Sequence, residues 1–458
     1  MLWPLIALVA AVLLAYANAF TAAYQFDDFA AILANPAAQS VAGWWHALPG
    51  IRPLLKLGFA LTYELGGGAI AVHATNIAIH ALNACLLWLL LRRWLRVLAP
   101  SLDRVDPVAL FAALLFAVHP AATEVVTYAS GRSISLSATF VLAALVADEA
   151  SRARPSRRRL AWRGPALFSL ALAVRETAIV APAIPLLLAW TTGQSLRAEA
   201  WRLRRYAIVA TMIAFAMALT PGYHTFFGVS VGTRSFAAQM MGQLIAHGYL
   251  LTHSLLGFCN IDPDLRVPAG WSPALMVCAL TLAAALAVMF AARRRQPWLA
   301  FSIGWYFLQL APANSLLPRL DLANDRHLYL AVAGPALAIA CALANAYERR
   351  ALRVLASVCA IALVETLVIT TWQRNADYRS EVTLWQATVR DSPRKARAWL
   401  NLGYAYRLAN DTTAAAQAYC RALALEPDNA QAAIDLDLVA PGDAVPRNCS
   451  DSGDRGGR

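Results

Sequence analysis

The chain has 458 residues, of which 59% are hydrophobic and only 14% charged, and its mean hydropathy is +0.50. Such a composition excludes a soluble domain of this size and predicts a polytopic membrane protein. The formal net charge is +12, yet residues 372–458 contain eleven basic and eleven acidic residues, so the excess lies in the first 371 residues. There it falls in clusters between apolar stretches, as in loops held inside the cell, which argues against a nucleic-acid partner.

Five Arg clusters divide the membrane part of the chain; they lie at 92–96, 152–163, 197–205, 293–295 and 349–353. If all five are cytoplasmic, the crossings between neighbouring clusters must come in pairs. The fold class is therefore predicted as all-α, a polytopic helix bundle with about eleven spans over residues 1–371. The spans are 2–23, 70–91, 106–121, 133–149, 164–175, 178–190, 206–221, 273–292, 297–311, 327–346 and 352–371. The polar motifs then share the outer face, and the stretch 235–257, with its two His residues, is predicted to be an interfacial or re-entrant helix there.

Residues 372–440 are predicted to form a small extracytoplasmic helical domain of the tetratricopeptide (TPR) type. Trp399, Leu402, Gly403 and Tyr406 fit the W-x2-L-G-x2-Y pattern of that repeat. The later positions of the pattern are also filled, by Ala415, Tyr419, Ala422 and Pro427. We expect this domain to dock a polypeptide acceptor through Trp399, Asn401 and Tyr406; the alternative is a lid that only stabilises the outer face. The polar end, 441–458, is predicted to be disordered.

Two adjacent carboxylates, Asp27 and Asp28, follow the first apolar span, where lipid gives way to water. A carboxylate there can act as a general base or bind a cation, whereas the structural alternative is an N-cap for the next helix. Glu124 is a third candidate catalytic carboxylate in the second outer loop, unless it pairs with Arg132 to tie down that loop. The seven Cys residues are scattered without metal-ligand spacing, and no metal site is predicted.

Three outer-face cations are candidate ligands for a phosphate: Arg326, Arg52 and Arg175. The planar guanidinium fork suits bidentate phosphate recognition, and the alternative is contact with lipid headgroups. Further polar residues are predicted to support this face: His73, Asn76, His119, Arg132, Glu176, Asn314, His327 and Tyr329. His73 and Asn76 also belong to a polar stripe with His80 and Asn83, which favours interhelical hydrogen bonding.

Taken together, these motifs resemble the GT-C superfamily of membrane glycosyltransferases, and more narrowly the TPR-containing transmembrane protein O-mannosyltransferases and their bacterial relatives. The matching stretches are Phe26-Asp27-Asp28-Phe29, Arg52-Pro53-Leu54, His73 to Asn83, His119-Pro120 with Thr123-Glu124, Arg175-Glu176-Thr177, Asn314-Ser315, Asp325 to Tyr329, Trp372 to Tyr378 and the repeat. They follow the family's order over most of the chain. This chain departs from the family in having Arg175 for Lys, Asp325 for Glu and a much shorter tail.

The resemblance implies inverting transfer of a sugar from a polyprenyl-phosphate-linked donor to a hydroxyl group of a protein at the outer face. Asp27 or Asp28 would accept the hydroxyl proton, and an outer-face Arg would stabilise the departing phosphate. The implied partners are the lipid-linked sugar and an exported acceptor such as a pilin-like or other envelope protein. A divalent cation at the carboxylates is possible but not required. The implied location is a bacterial inner membrane, with the active site and the tail on the periplasmic side.

Other functions remain open from the sequence alone. The acceptor could be a lipid or polysaccharide, although such an acceptor has no obvious need of a TPR groove. A membrane-anchored TPR scaffold without catalysis would explain the tail but not the acids and Arg residues of the outer loops. A transporter would need ionisable residues deep in several spans, and these are nearly absent.

The topology yields the first testable prediction. A reporter fused after Arg158 should lie inside the cell and one fused after Arg407 outside, because the Arg clusters hold alternate loops in the cytoplasm. Paired reporters that are active on opposite sides of the membrane, such as alkaline phosphatase and a fluorescent protein, measure this. The same side for both positions would contradict the arrangement.

Overall fold

The computed structural model describes residues 2–48, 50–153, 158–257 and 259–440. The described chain is helical, with 78% of residues in helices and no strand, so the all-α fold class is confirmed. The polar end at 441–458 lies outside the described residues.

The helices of the first half of the chain are α1 (Leu2–Ala15), α2 (Pro36–Gln39), α3 (Val41–His46), α4 (Pro53–Glu64), α5 (Ala69–Leu98), α6 (Val105–Ala117), α7 (Thr123–Val126), α8 (Arg132–Arg152), α9 (Arg163–Val174), α10 (Ala183–Thr192) and α11 (Leu196–Arg202). Short 3-10 turns lie at Pro120–Ala122, Ala129–Gly131, Arg158–Trp162 and Glu176–Val180, and a π-helical turn at Phe29–Leu33.

The second half continues with α12 (Arg204–Ala218), α13 (Pro221–Gly232), α14 (Phe236–Leu256), α15 (Pro273–Ala292), α16 (Pro297–Leu310), α17 (Leu328–Ala331), α18 (Ala333–Glu348) and α19 (Arg353–Asp377), with 3-10 turns at Asp325–His327 and Arg350–Leu352. Four helices form the tail: α20 (Glu381–Asp391), α21 (Ala396–Leu408), α22 (Thr412–Leu425) and α23 (Ala430–Val439).

Several helices are long and apolar enough to cross a bilayer, which makes the chain an integral membrane protein. Four qualify alone, namely Ala69–Leu98, Ala129–Arg152, Pro273–Ala292 and Arg350–Asp377, and three bent pairs raise the number to as many as seven among the described residues. The eleven crossings therefore stay a prediction. The first of them was expected to reach residue 23, but α1 ends at Ala15, whose carbonyl accepts a hydrogen bond from the Asn375 amide (2.9 Å).

The core of the bundle surrounds α5, which packs against α1, α6 and α8. Its polar stripe is interhelical: His80 Nδ1 lies 2.8 Å and Asn83 Nδ2 3.0 Å from the Tyr329 hydroxyl, in the segment that starts the α17–α18 span. Asn76 Nδ2 donates to the carbonyls of Val126 and Ala129. The hydrogen-bonding interpretation of this stripe agrees with these contacts.

Two of the bent pairs bring the outer motifs together. The first bends by 52° between α6 and the turn at Pro120, because proline cannot continue the helix and pushes His119 into an extended conformation. The second bends by 49° between α17 and α18. The segment that carries Glu124 thereby meets the turn that carries Arg326, whose backbone N–H donates to Glu124 Oε2 (3.1 Å).

The tail is bound to the outer loops by an ionic cluster around Asp262. This carboxylate is buried and accepts hydrogen bonds from Lys395 Nζ and Arg397, whose guanidinium also reaches Asp321 Oδ1 (2.7 Å). The buried Asn260 amide donates to Ser392 Oγ (2.7 Å) beside it. In the tail, Gly403 of α21 packs on the Tyr419 ring of α22 so closely that a Cβ would lie 2.5 Å from it. The TPR assignment itself stays a prediction.

The ionic cluster generates a testable prediction about how firmly the tail is held. The Asp262→Asn substitution should loosen it by about 1–3 kcal/mol, because two cations lose the carboxylate that neutralises them in a largely buried position. Limited proteolysis of the purified protein should then release the tail faster. Asp264→Asn is the matched control, since its partners Arg266 and Arg394 are exposed and such surface pairs contribute little. Equal cleavage rates in wild type and Asp262→Asn would contradict this account.

Candidate active site

The loop that carries the two aspartates is fixed by the second of them. Asp28 is fully buried, and both of its carboxylate oxygens are occupied: Oδ1 accepts from the Ser130 backbone N–H (2.8 Å) and hydroxyl (2.5 Å), and Oδ2 from the Gln25 N–H (3.0 Å). It does not cap the following π-helical turn. Burial raises the pKa of Asp28 to about 6, although these hydrogen bonds act to lower it. Asp28 therefore joins two loops.

Asp27 has the opposite environment. It is exposed, and its backbone N–H donates to the Tyr128 hydroxyl (3.0 Å), while no described side chain bonds to its carboxylate. Burial and the charges of Asp28 and Asp27 raise the pKa of Tyr128, whereas Arg326 lowers it. The Tyr128 side chain thus lies within electrostatic range of the aspartate pair and of Arg326. A carboxylate that is accessible and unpaired can accept a proton from a ligand.

The residue before the pair has an unusual backbone. Phe26 has a φ of 39°, in the left-handed region that bulky residues rarely adopt. Its N–H donates to Glu381 Oε1 (2.9 Å), and its ring packs edge-on to Trp385, with centroids 5.6 Å apart. The first helix of the tail therefore holds the loop in this conformation.

Glu124, the third candidate carboxylate, has a buried environment like that of Asp28 and unlike that of Asp27. It is buried, and besides accepting from the Arg326 N–H its Oε1 lies 3.8 Å from Arg326 Nη1. The alternative partner from the sequence, Arg132, is wrong: its guanidinium is buried against α4 and α5, where it donates to Asn76 Oδ1 (2.7 Å) and Thr62 Oγ1 (3.1 Å). Glu124 thus orients the Arg326 turn.

Several Arg residues of the outer loops lie close to one another. Arg52 forms a two-pronged ion pair with Glu176 (3.1 and 2.8 Å), and Arg175 donates to Ser133 Oγ (2.8 Å). Arg175 and Arg326 line a small cavity of about 60 Å³ together with His327 and Tyr329. Arg326 Nε is buried without a partner among the described residues. Such a cavity offers guanidinium donors to an anion.

Two residues of this region were not identified from the sequence, namely Arg319 and Tyr128. Burial and the charges of Arg52 and Arg326 lower the pKa of Arg319, so it belongs to the same cationic group. With Glu124, Glu176 and Asp325 as the neighbouring carboxylates, these four Arg residues leave an excess of positive charge. Arg319 could have been identified from the sequence, because it is a charged residue in the predicted outer loop Pro312–Arg326. No feature of the sequence marks Tyr128 as a site residue.

The supporting residues occupy several places. Asn314 Oδ1 lies 2.8 Å from His327 Nδ1 beside the small cavity, and His119 caps its own turn and reaches the Ser254 carbonyl (3.2 Å). His73 is buried beside the Tyr24 ring. His73, Asn76, Arg132 and Tyr329 thus serve helix packing, while Glu176, Asn314 and His327 lie with the cations.

Two of the three tail residues that are predicted to dock the acceptor form hydrogen bonds within the tail. Trp399 Nε1 donates to the Pro393 carbonyl (2.9 Å), and the Tyr406 hydroxyl accepts from Gln386 (2.8 Å). The Asn401 amide nitrogen is buried without a partner among the described residues. Within the described ranges, no three His, Cys, Asp or Glu side chains are close enough to hold a metal ion.

Comparison with known proteins gives curated relatives but no matching family model. The chain is 28% identical to the Drosophila melanogaster protein O-mannosyl-transferase Tmtc3 over 77% of its length, and 22% identical to the human protein O-mannosyl-transferase TMTC3 over 92%. The resemblance to protein O-mannosyltransferases is confirmed. The alignments cover 46% and 51% of those two relatives, so the chain spans about half the length of the O-mannosyl-transferases it matches.

The environment of Asp28 generates a prediction about pH. Because its pKa of about 6 in the folded state exceeds the ordinary value near 4, the folded state binds this proton more tightly, and stability falls as pH rises from about 4 to about 6. Asp28→Asn should remove that fall and also cost about 1–3 kcal/mol, because its amide faces an N–H donor. Thermal unfolding in detergent from pH 4 to 8, for wild type and variant, measures this. A wild-type-minus-variant difference that is flat with pH would contradict it.

Proposed function

We propose that the chain is an inverting glycosyltransferase that moves a sugar from a polyprenyl-phosphate-linked donor to a hydroxyl group of an exported protein. The observation that carries this proposal is the exposed carboxylate of Asp27, whose backbone N–H donates to the Tyr128 hydroxyl, together with a group of Arg residues of which Arg326 is close enough to lower the pKa of Tyr128. A base and a phosphate site on one face are what such a transfer requires. The similarity to proteins named O-mannosyl-transferases supports the same reaction class.

Asp27 is the proposed general base. The acceptor oxygen attacks the anomeric carbon from the face opposite the phosphate, its proton passes to Asp27, and the bond from carbon to phosphate oxygen breaks. Configuration is thereby inverted, and the lipid phosphate leaves with the bonding electrons. Asp28 is unsuited to this role because donors from Gln25 and Ser130 occupy its two oxygens.

The cationic group is the proposed donor site. Arg326 and Arg175 at the small cavity would bind the donor phosphate, with Arg52 and Arg319 adding charge behind them. Charge develops on the phosphate oxygen as the bond breaks, so donors fixed beforehand stabilise the transition state. Phosphate is already a good leaving group, and one carboxylate suffices.

The proposed setting is a bacterial inner membrane with this site on the periplasmic side. The Arg clusters support that orientation, because they hold the opposite loops in the cytoplasm. The tail would help to dock the protein acceptor, and its contacts with the loop that carries Asp27, through Glu381 and Trp385, support this role.

The catalytic proposal is tested by two substitutions with different expected effects. Asp27→Asn should lower transfer at least about a hundredfold while donor binding survives, because only proton acceptance is lost. Arg326→Ala should weaken donor binding as well as turnover, because its charge acts on the donor and on the leaving phosphate alike. Transfer from a synthetic polyprenyl-phosphate sugar, with donor binding measured separately, provides both readouts.

The control is Asp428→Asn, which removes an exposed carboxylate in the tail far along the chain from this loop. It should leave transfer and donor binding unchanged. Full transfer by Asp27→Asn at matched expression would show that the loop is structural and that the base lies elsewhere, with Glu124 the next candidate.

A further inference from the structure

A second and larger cavity opens between the bundle and the tail. Its volume is about 1050 Å³, at the upper end of the range of about 300–1,000 Å³ that is usual for small-molecule sites. One wall is the outer end of α14, with Tyr249 and His253, and another is the end of α19, from Thr370 to Asp377. The non-helical segment around Asn260 and Asp264 and the connection between α20 and α21 complete it.

The charges that line this cavity are already balanced. Arg374 Nη1 lies 2.9 Å from Asp377, Arg390 Nε 3.1 Å from Asp391, and Arg394 Nε 3.5 Å from Asp264. Three cations thus face three anions, in contrast to the excess of positive charge around Arg326. The balance does not favour a phosphate or an acidic polymer, and it suits a neutral ligand that forms hydrogen bonds.

The floor of the cavity adjoins the candidate active site. His253 Nδ1 lies 3.1 Å from Asp325 Oδ2, which also accepts from the Asn260 N–H. Asp325 immediately precedes Arg326, whose backbone is held by Glu124. The cavity and the cationic group therefore lie on two sides of the same short segment.

The tail forms part of the cavity in a fixed position. On the tail side, the wall residues Pro393 and Arg394 directly precede Lys395, which binds Asp262 together with Arg397. On the bundle side, the wall residues Pro263 and Asp264 directly follow Asp262. The ionic cluster thus fixes both walls relative to each other.

We propose that this cavity receives the acceptor, and that the acceptor segment it takes is an extended, uncharged stretch of polypeptide with a Ser or Thr hydroxyl. The inference rests on the proposed transfer reaction and adds the side from which the acceptor approaches. Tyr249 and Gln373 line the cavity, and the exposed Gln373 amide offers hydrogen bonds to a peptide backbone. The donor then stays on the cationic side, and its phosphate does not compete for the cavity.

The first test fills the cavity. Ala376 lines it and belongs to neither the base nor the phosphate site, so Ala376→Trp should lower transfer to protein at least about tenfold. Donor binding and slow hydrolysis of the donor by water should persist, which separates failure of this inference from failure of the proposed reaction. Ala424→Trp, at an exposed position on α22, is the matched control. Unchanged protein transfer by Ala376→Trp would overturn the inference.

The second test does not depend on activity. The thiol introduced by Gln373→Cys should react with a maleimide, and a short neutral Ser- and Thr-rich peptide should slow that reaction at least about threefold. The thiol introduced by Ala424→Cys should be unaffected, with the native cysteines measured as background. Protection by a neutral oligosaccharide and not by the peptide would overturn the polypeptide assignment, and protection by neither would overturn the site.

Discussion

The buried carboxylate of Asp28 is the constraint on which the outer face depends. It holds the loop after α1 to the turn before α8 through two hydrogen bonds from Ser130, and it accepts a third from Gln25 within its own loop. An ionised group in that position is costly unless it is bonded in this way. Asp28 is turned inward, whereas the neighbouring Asp27 is exposed, with its backbone N–H bonded to the Tyr128 hydroxyl. Two residues of identical chemistry thereby acquire different properties, and only the exposed one is available to a ligand.

The tail belongs to this arrangement and is not a separate arm. Its first helix stabilises the left-handed Phe26, and its second helix begins beside the cations that bind Asp262. Residues 372–458 carry equal numbers of basic and acidic residues, and some of the basic ones pair with acidic residues of the outer loops. A substitution that detaches the tail would therefore also disturb the loop that carries Asp27.

Much of this could be predicted from the sequence. Apolar composition gave the helical membrane class, and the acids and Arg residues of the outer loops include those around Tyr128. Helix ends were less predictable, since α1 stops where Asn375 binds the Ala15 carbonyl, a contact 360 positions apart. The predicted pairing of Glu124 with Arg132 was wrong for the same reason. Arg132 lies near Glu124 in the sequence, but it binds groups of α4 and α5 that only the tertiary fold brings close to it. Arg319 and Tyr128 stand in no motif that would mark them.

The segment from Asp325 to His327 has to satisfy two different environments at once. On one side Asp325 is bonded to His253 and Asn260, at the floor of the electrically balanced cavity. On the other, Arg326 and His327 line the cavity of the cationic group. A 3-10 turn is suited to this, because consecutive side chains point in directions about 120° apart around a three-residue turn. Glu124 fixes the turn through the Arg326 backbone N–H, which leaves part of the guanidinium without a partner. A charge-balanced site and a cationic site can thus adjoin each other without their charges cancelling.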